Sequence, residues 1–83
     1  MRYDYTVFEG KQYCNVFTDR TQMKGILRFT HEISVTFVLE NGEWKFNGGC
    51  HIGVFDADWR ADEQDSFEQT FPNLLKEMMD GLE

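Results

Sequence analysis

The feature that most constrains this chain is a run of period-two hydrophobicity closed by a two-residue turn. Ile33, Val35, Phe37 and Leu39 alternate with Ser34, Thr36 and Glu40, broken only by Val38, the pattern of a strand with one buried face. Asn41-Gly42 follows, the dipeptide favoured in a type I′ turn because both central residues need positive φ. That turn sets Leu39 opposite Trp44, Phe37 opposite Phe46, Val35 opposite Gly48 and Ile33 opposite Cys50. Carried further, the register sets His31 against Ile52, Glu32 against His51 and Phe29 against Val54, so that the hairpin reaches about Phe55. Gly48-Gly49 is the place for a bulge that shifts this far half.

A second hairpin is expected upstream. Residues 3–9 and 12–18 flank Gly10-Lys11, which suits a type II′ turn with glycine first and pairs Val7 with Cys14 and Tyr5 with Val16. Asp19-Arg20-Thr21 reads as a turn, and residues 22–29 read as a strand rather than a short helix that Gly25 would weaken.

After Phe55 the period changes. Phe67, Phe71, Leu74, Leu75, Met78 and Leu82 recur at three and four, the stripe of an amphipathic helix whose apolar face belongs to the core. Asp65 or Ser66 is placed to cap it, with Glu68 or Gln69 as the reciprocal partner. Pro72 either kinks this helix or divides it, with a short helical stretch from Trp59 to about Gln69 and a second helix starting at Pro72. Gly81 marks the stop. The expected fold is therefore α+β: an antiparallel sheet of four to five strands built from hairpins, with the C-terminal helix packed on one face.

The 83 residues suffice for one domain, with residues 1–55 as its sheet and 56–83 as an acidic loop and helix. At 41% hydrophobic and 16% aromatic content, the chain holds enough apolar surface to offset the entropy lost on ordering. No apolar run approaches the ~20 residues of a membrane span, and the first residues do not read as a secretory signal. A soluble, cytoplasmic protein is expected, with Cys14 and Cys50 as thiols packed like small apolar side chains.

The net charge of −7 is distributed unevenly. Acids and bases cancel over residues 1–55, whereas residues 56–83 carry nine acids against Arg60 and Lys76. Such a surface repels polyphosphate and attracts basic partners.

Specific chemistry finds weak support. An EF-hand beginning at Asp56 fails, because Arg60, Ala61 and Phe67 stand where an oxygen ligand, glycine and glutamate are needed. Cys14, Cys50, His31 and His51 lack zinc spacing, and neighbours on a strand point to opposite faces. His31 and Cys50, if diagonal on one face, would form a base and nucleophile. Ser34 and Ser66 lie in no nucleophile-elbow context. Lys24-Gly25-Ile26-Leu27-Arg28-Phe29 has the basic-glycine-aromatic order of an RNA-recognition strand, but Ile26 and Leu27 occupy its aromatic and small positions. Direct nucleic-acid binding is not expected of so acidic a chain, and no cofactor or metal is implied.

The expected function is that of a non-enzymatic binding or inhibitory protein. Asp56, Asp58, Trp59, Asp62, Glu63, Asp65 and Glu68 would dock on a basic site of a partner protein, such as the phosphate-binding groove of a nucleic-acid-handling enzyme. Small acidic DNA mimics, anti-CRISPR and other phage anti-defence proteins, and nuclease immunity proteins work by that logic. Tyr3, Tyr13 and Trp59 are candidate aromatic anchors. The alternatives are a homodimeric assembly protein whose charge serves only solubility, and a metal-dependent or small-ligand enzyme.

Overall fold

A computed structural model describes residues 1–53 and 55–83, with the side chains of all of these except Arg20 and Gln22. Five antiparallel strands follow one another in a meander: β1 (Arg2–Phe8), β2 (Lys11–Lys24), β3 (Leu27–Glu40), β4 (Glu43–Ile52) and β5 (Ala57–Trp59). Two seven-residue helices, α1 (Gln64–Thr70) and α2 (Leu74–Asp80), complete the α+β fold. The sheet thus runs past residue 55, because β5 adds a fifth strand alongside β4.

The Asn41-Gly42 turn forms with φ of 53° and 79°, and the near half of its hairpin has the expected register: Leu39 with Trp44 and Phe37 with Phe46. Beyond Phe37 the register shifts, so that Val35 pairs with Gly49, Ile33 with His51, Ser34 with Cys50 and Glu32 with Ile52. Asn47 and Gly48 together oppose Thr36, and Gly48 adopts φ 129°, the mark of a bulge. The expected pairs Val35–Gly48, Ile33–Cys50, Glu32–His51 and His31–Ile52 are therefore each displaced by one position. The expected partner of Phe29, Val54, lies outside the described residues; Phe29 itself pairs with Gln22 in β2.

The first hairpin turns one residue earlier than expected. Glu9 and Gly10 take φ of 50° and 78°, a type I′ pattern with glycine second, and Tyr5 pairs with Cys14 and Val7 with Gln12. The two-residue change of register keeps every side chain on its expected face. Asp19-Arg20-Thr21 is no turn: those residues continue β2 opposite Glu32, His31 and Thr30. The reversal comes instead at Gly25-Ile26, with Gly25 at φ 61°.

One face of the sheet is covered. Cys14, Val16, Ile33, Val35, Phe37, Phe46 and Trp59 meet Phe67, Leu74, Leu75 and Met78 from the helices, with Phe71 and Leu82 half-buried beside them. Burying each large side chain contributes about 1.5–3 kcal/mol. The helices are divided as Pro72 requires: Phe71 N–H closes α1 on Phe67 O at 2.9 Å, Pro72 occupies the connecting turn rather than the first helical position, and Asn73 at φ 69° precedes α2. The cap of α1 is Glu63, not Asp65 or Ser66. Its carboxylate accepts from Arg60 N–H at 2.9 Å while Glu63 N–H donates to Arg60 O at 2.9 Å.

The C-terminal end is tied back across the sheet. Tyr3 Oη donates to Met78 O at 2.9 Å, Trp44 Nε1 donates to Glu83 O at 3.0 Å and Glu83 N–H donates to Tyr5 Oη at 3.1 Å. Gly81 ends α2 at an ordinary φ of −92°. Glycine suits that position for space, since a Cβ there would push the Tyr3 ring and hydroxyl aside.

β1 pairs with β2 only as far as Phe17, and β4 reaches only Glu32 of β3. The remaining rungs, Arg20–His31 to Lys24–Leu27, form a two-stranded arm about 17 Å long that stretches the molecule to 47 × 23 × 21 Å.

Candidate functional site

The acidic segment begins on the edge strand. In β5, Trp59 turns into the covered face and is only 8% exposed, meeting Phe67 edge-on at 5.2 Å and Phe71 at 5.7 Å between ring centres. Its expected role as an exposed docking anchor is thereby corrected: two aromatic partners already occupy it. Tyr3 and Tyr13 are half-buried, and the Tyr3 hydroxyl is engaged by Met78 O.

Alternation in β5 places Asp58 on the face opposite Trp59, beside Cys50. Asp62 and Glu63 follow in the turn, and Asp65 and Glu68 lie on α1, which packs against β4 and β5. Asp56, Asp58, Asp62, Asp65 and Glu68 are exposed and Glu63 is half-buried. The six carboxylates thus lie along the β5 edge, Asp58 on the uncovered face and Asp65 and Glu68 on α1 at the covered one, on a backbone held down by Trp59 and by Phe67, which is fully buried. Arg60 is the one cation among them. It approaches Asp62 at 3.6 Å and Glu63 at 3.2 Å with its side chain 80% exposed, where ion pairs contribute about 0–1 kcal/mol. Among the described residues, no ion pair engages Asp56, Asp58, Asp65 or Glu68.

The bulge decides the fate of the histidines. By moving the register one place, it turns His51 into the covered face, where it is fully buried. His51 Nδ1 lies 2.6 Å from Phe55 O, and its Nε2 lies 2.8 Å from His31 Nδ1. A carbonyl can only accept, so His51 donates from Nδ1; in a neutral ring Nε2 is then the acceptor and His31 Nδ1–H the donor. Phe55 stacks on the His51 ring at 4.1 Å. The expected cross-strand pair of His51 with Glu32 is replaced by this histidine pair. Sequence reasoning missed it; the only signal was the Gly48-Gly49 pair, which begins six positions after Gly42.

Cys50 consequently faces away from both imidazoles. It lines an open concavity of about 550 Å³ on the uncovered face with Arg2, Phe17, Glu32, Ser34 and Ile52, and burial, together with the adjacent Asp58 carboxylate, pushes its thiol up from the usual value. The expected diagonal of His31 and Cys50 on one face is not formed, because the two lie on opposite sides of the sheet. Among the described residues, no three His, Cys, Asp or Glu side chains group to hold a metal ion, and no helix is long and apolar enough to cross a membrane. Comparison with protein-family models, with curated proteins and with solved structures returned no match.

Proposed function

We propose that the protein is a non-enzymatic binding or inhibitory module whose acidic segment, residues 56–68, docks on a basic site of a partner protein. The observation that carries this reading is the exposure of Asp56, Asp58, Asp62, Asp65 and Glu68 on a backbone pinned by Trp59 and Phe67. Carboxylates held on a fixed frame present negative charge without first ordering a loop, which lowers the entropic cost of association. Their natural counterpart is a groove lined by Lys and Arg, such as a nucleic-acid-handling enzyme offers to phosphates. Occupying that groove excludes the nucleic acid, as DNA mimics and phage anti-defence inhibitors do.

The test compares the wild type with an Asp62→Lys/Asp65→Lys/Glu68→Lys variant in affinity capture from the native cell, followed by association kinetics with the captured protein. A basic partner retained by the wild type and lost by the variant supports the reading, as does an association rate that falls steeply with salt. Equal capture by both proteins overturns it.

A further inference from the structure

The arm formed by residues 20–31 carries the opposite chemistry to the acidic flank. Its tip presents Ile26 at 97% exposure, Met23 at 61% and Leu27 at 59%, next to exposed Lys24 and Arg28. Large apolar side chains left in water at the end of a ribbon with two unpaired edges mark an interaction element rather than a solubilising surface. At the base of the same arm, where β4 leaves β3, Ile52 and Phe55 are 54% and 47% exposed, and Asp56 and Asp58 stand beside them. The tip is apolar and cationic; the base is apolar and anionic.

We propose that two copies of this chain associate through their arms, lying antiparallel so that the tip of each arm rests on the base of the other. A twofold arrangement uses each patch once per copy and closes on itself. Met23 and Arg28 are cross-strand partners on the same face of the sheet as Ile52 and Asp58, so Met23, with Ile26 at the tip, covers Ile52 of the second copy while Arg28 meets Asp58. Local charge favours this occupant: the cationic tip of one copy matches the acidic base of the second, where Asp56 and Asp58 are exposed. The inference does not rest on the proposed inhibitory reading, although Asp56 and Asp58 enter both.

Sedimentation velocity of the full chain at tens of micromolar concentration tests it without any partner. The expected result is a dimer that weakens as salt rises, and that Ile26→Glu/Leu27→Glu reduces to monomer with an unchanged circular dichroism spectrum. Lys24→Glu/Arg28→Glu should weaken the dimer about tenfold or more, and mixing that variant with Asp56→Lys/Asp58→Lys should restore a mixed dimer through the reversed pairs. A wild type that stays monomeric at low salt overturns the inference, as does a dimer indifferent to both tip variants. Retention of monomeric wild type on duplex DNA, lost in Lys24→Glu/Arg28→Glu, would assign the arm to nucleic acid instead. Because the Lys24→Glu/Arg28→Glu variant keeps the acidic segment intact, it should still capture a basic partner, which separates failure of the dimer from failure of the inhibitory reading.

Discussion

His31 Nδ1 and His51 Nε2 share a hydrogen bond across 2.8 Å, joining residues of adjacent strands at the point where the arm leaves the body of the sheet. His51 is fully buried, and each of its ring nitrogens has one partner. Removing either ring therefore has different consequences.

His51→Ala empties a site packed by Phe55 and Phe71 and should cost about 2–4 kcal/mol. His31→Ala keeps that packing but leaves a buried acceptor without its donor, at a cost of about 1–3 kcal/mol. The two losses should not add, and a double-mutant cycle in urea should return a coupling of about 0.5–3 kcal/mol. Nitrogen-15 spectra of the imidazoles should show His51 protonated at Nδ1; protonation at Nε2 would contradict the arrangement.

Gly81→Ala should break the contact between α2 and β1, since the new methyl group displaces the Tyr3 hydroxyl from Met78 O. Loss of that hydrogen bond costs about 1 kcal/mol, or roughly 4–8 °C in Tm for a domain of this size. In a Tyr3→Ala background, which removes the ring carbons as well as the hydroxyl from the added methyl, the same Gly81→Ala change should cost visibly less. An equal cost in both backgrounds would show that backbone conformation, not the tyrosine, demands glycine.

Cys50 should react slowly with iodoacetamide at neutral pH, because burial and the Asp58 carboxylate both disfavour its thiolate. Asp58→Asn removes the like charge and should speed alkylation, with a pH–rate midpoint displaced downward. A rate unchanged by this substitution would show that burial alone controls the thiol.

Alkaline pH should destabilise the fold through Cys14. Burial raises its thiol above the ordinary value of 9.0, so the neutral form is favoured in the folded state. The stability linked to it is whole below that pH and declines as pH rises toward the folded value, because the unfolded chain ionises first. Tyr3, raised from 10.0 chiefly by burial, extends the decline. Urea midpoints measured across the alkaline range should fall for the wild type and fall less for Cys14→Ala.

The legible parts of the sequence were those where one residue type satisfies one backbone demand. Asn41-Gly42 named its own turn, and Pro72 divided the helical stripe because it cannot donate to the preceding turn. The Glu9-Gly10 turn is hidden from the sequence because Glu9 takes a positive φ that non-glycine residues rarely adopt, so that local preference points to Gly10 at the first turn position rather than the second. The Asp19-Arg20-Thr21 stretch has turn composition, yet strand pairing with β3 overrides that local preference. The acidic flank was visible as charge, but Trp59 looked like a docking aromatic until the fifth strand turned it into the core. The length of the arm was hidden, since nothing local to residues 20–31 reports that β1 and β4 stop short of it.

The extra residue in β4 acts as a parity element. Deleting a single residue between Asn47 and Gly49 would exchange the two sides of everything that follows in the strand, carrying the Cys50 sulfur inward and the His51 ring out to water, and stranding the Phe55 carbonyl. Length at this point is therefore quantised: a homologous chain that lacks one residue here must also transpose its thiol and imidazole, or lose the hinge from which the arm projects.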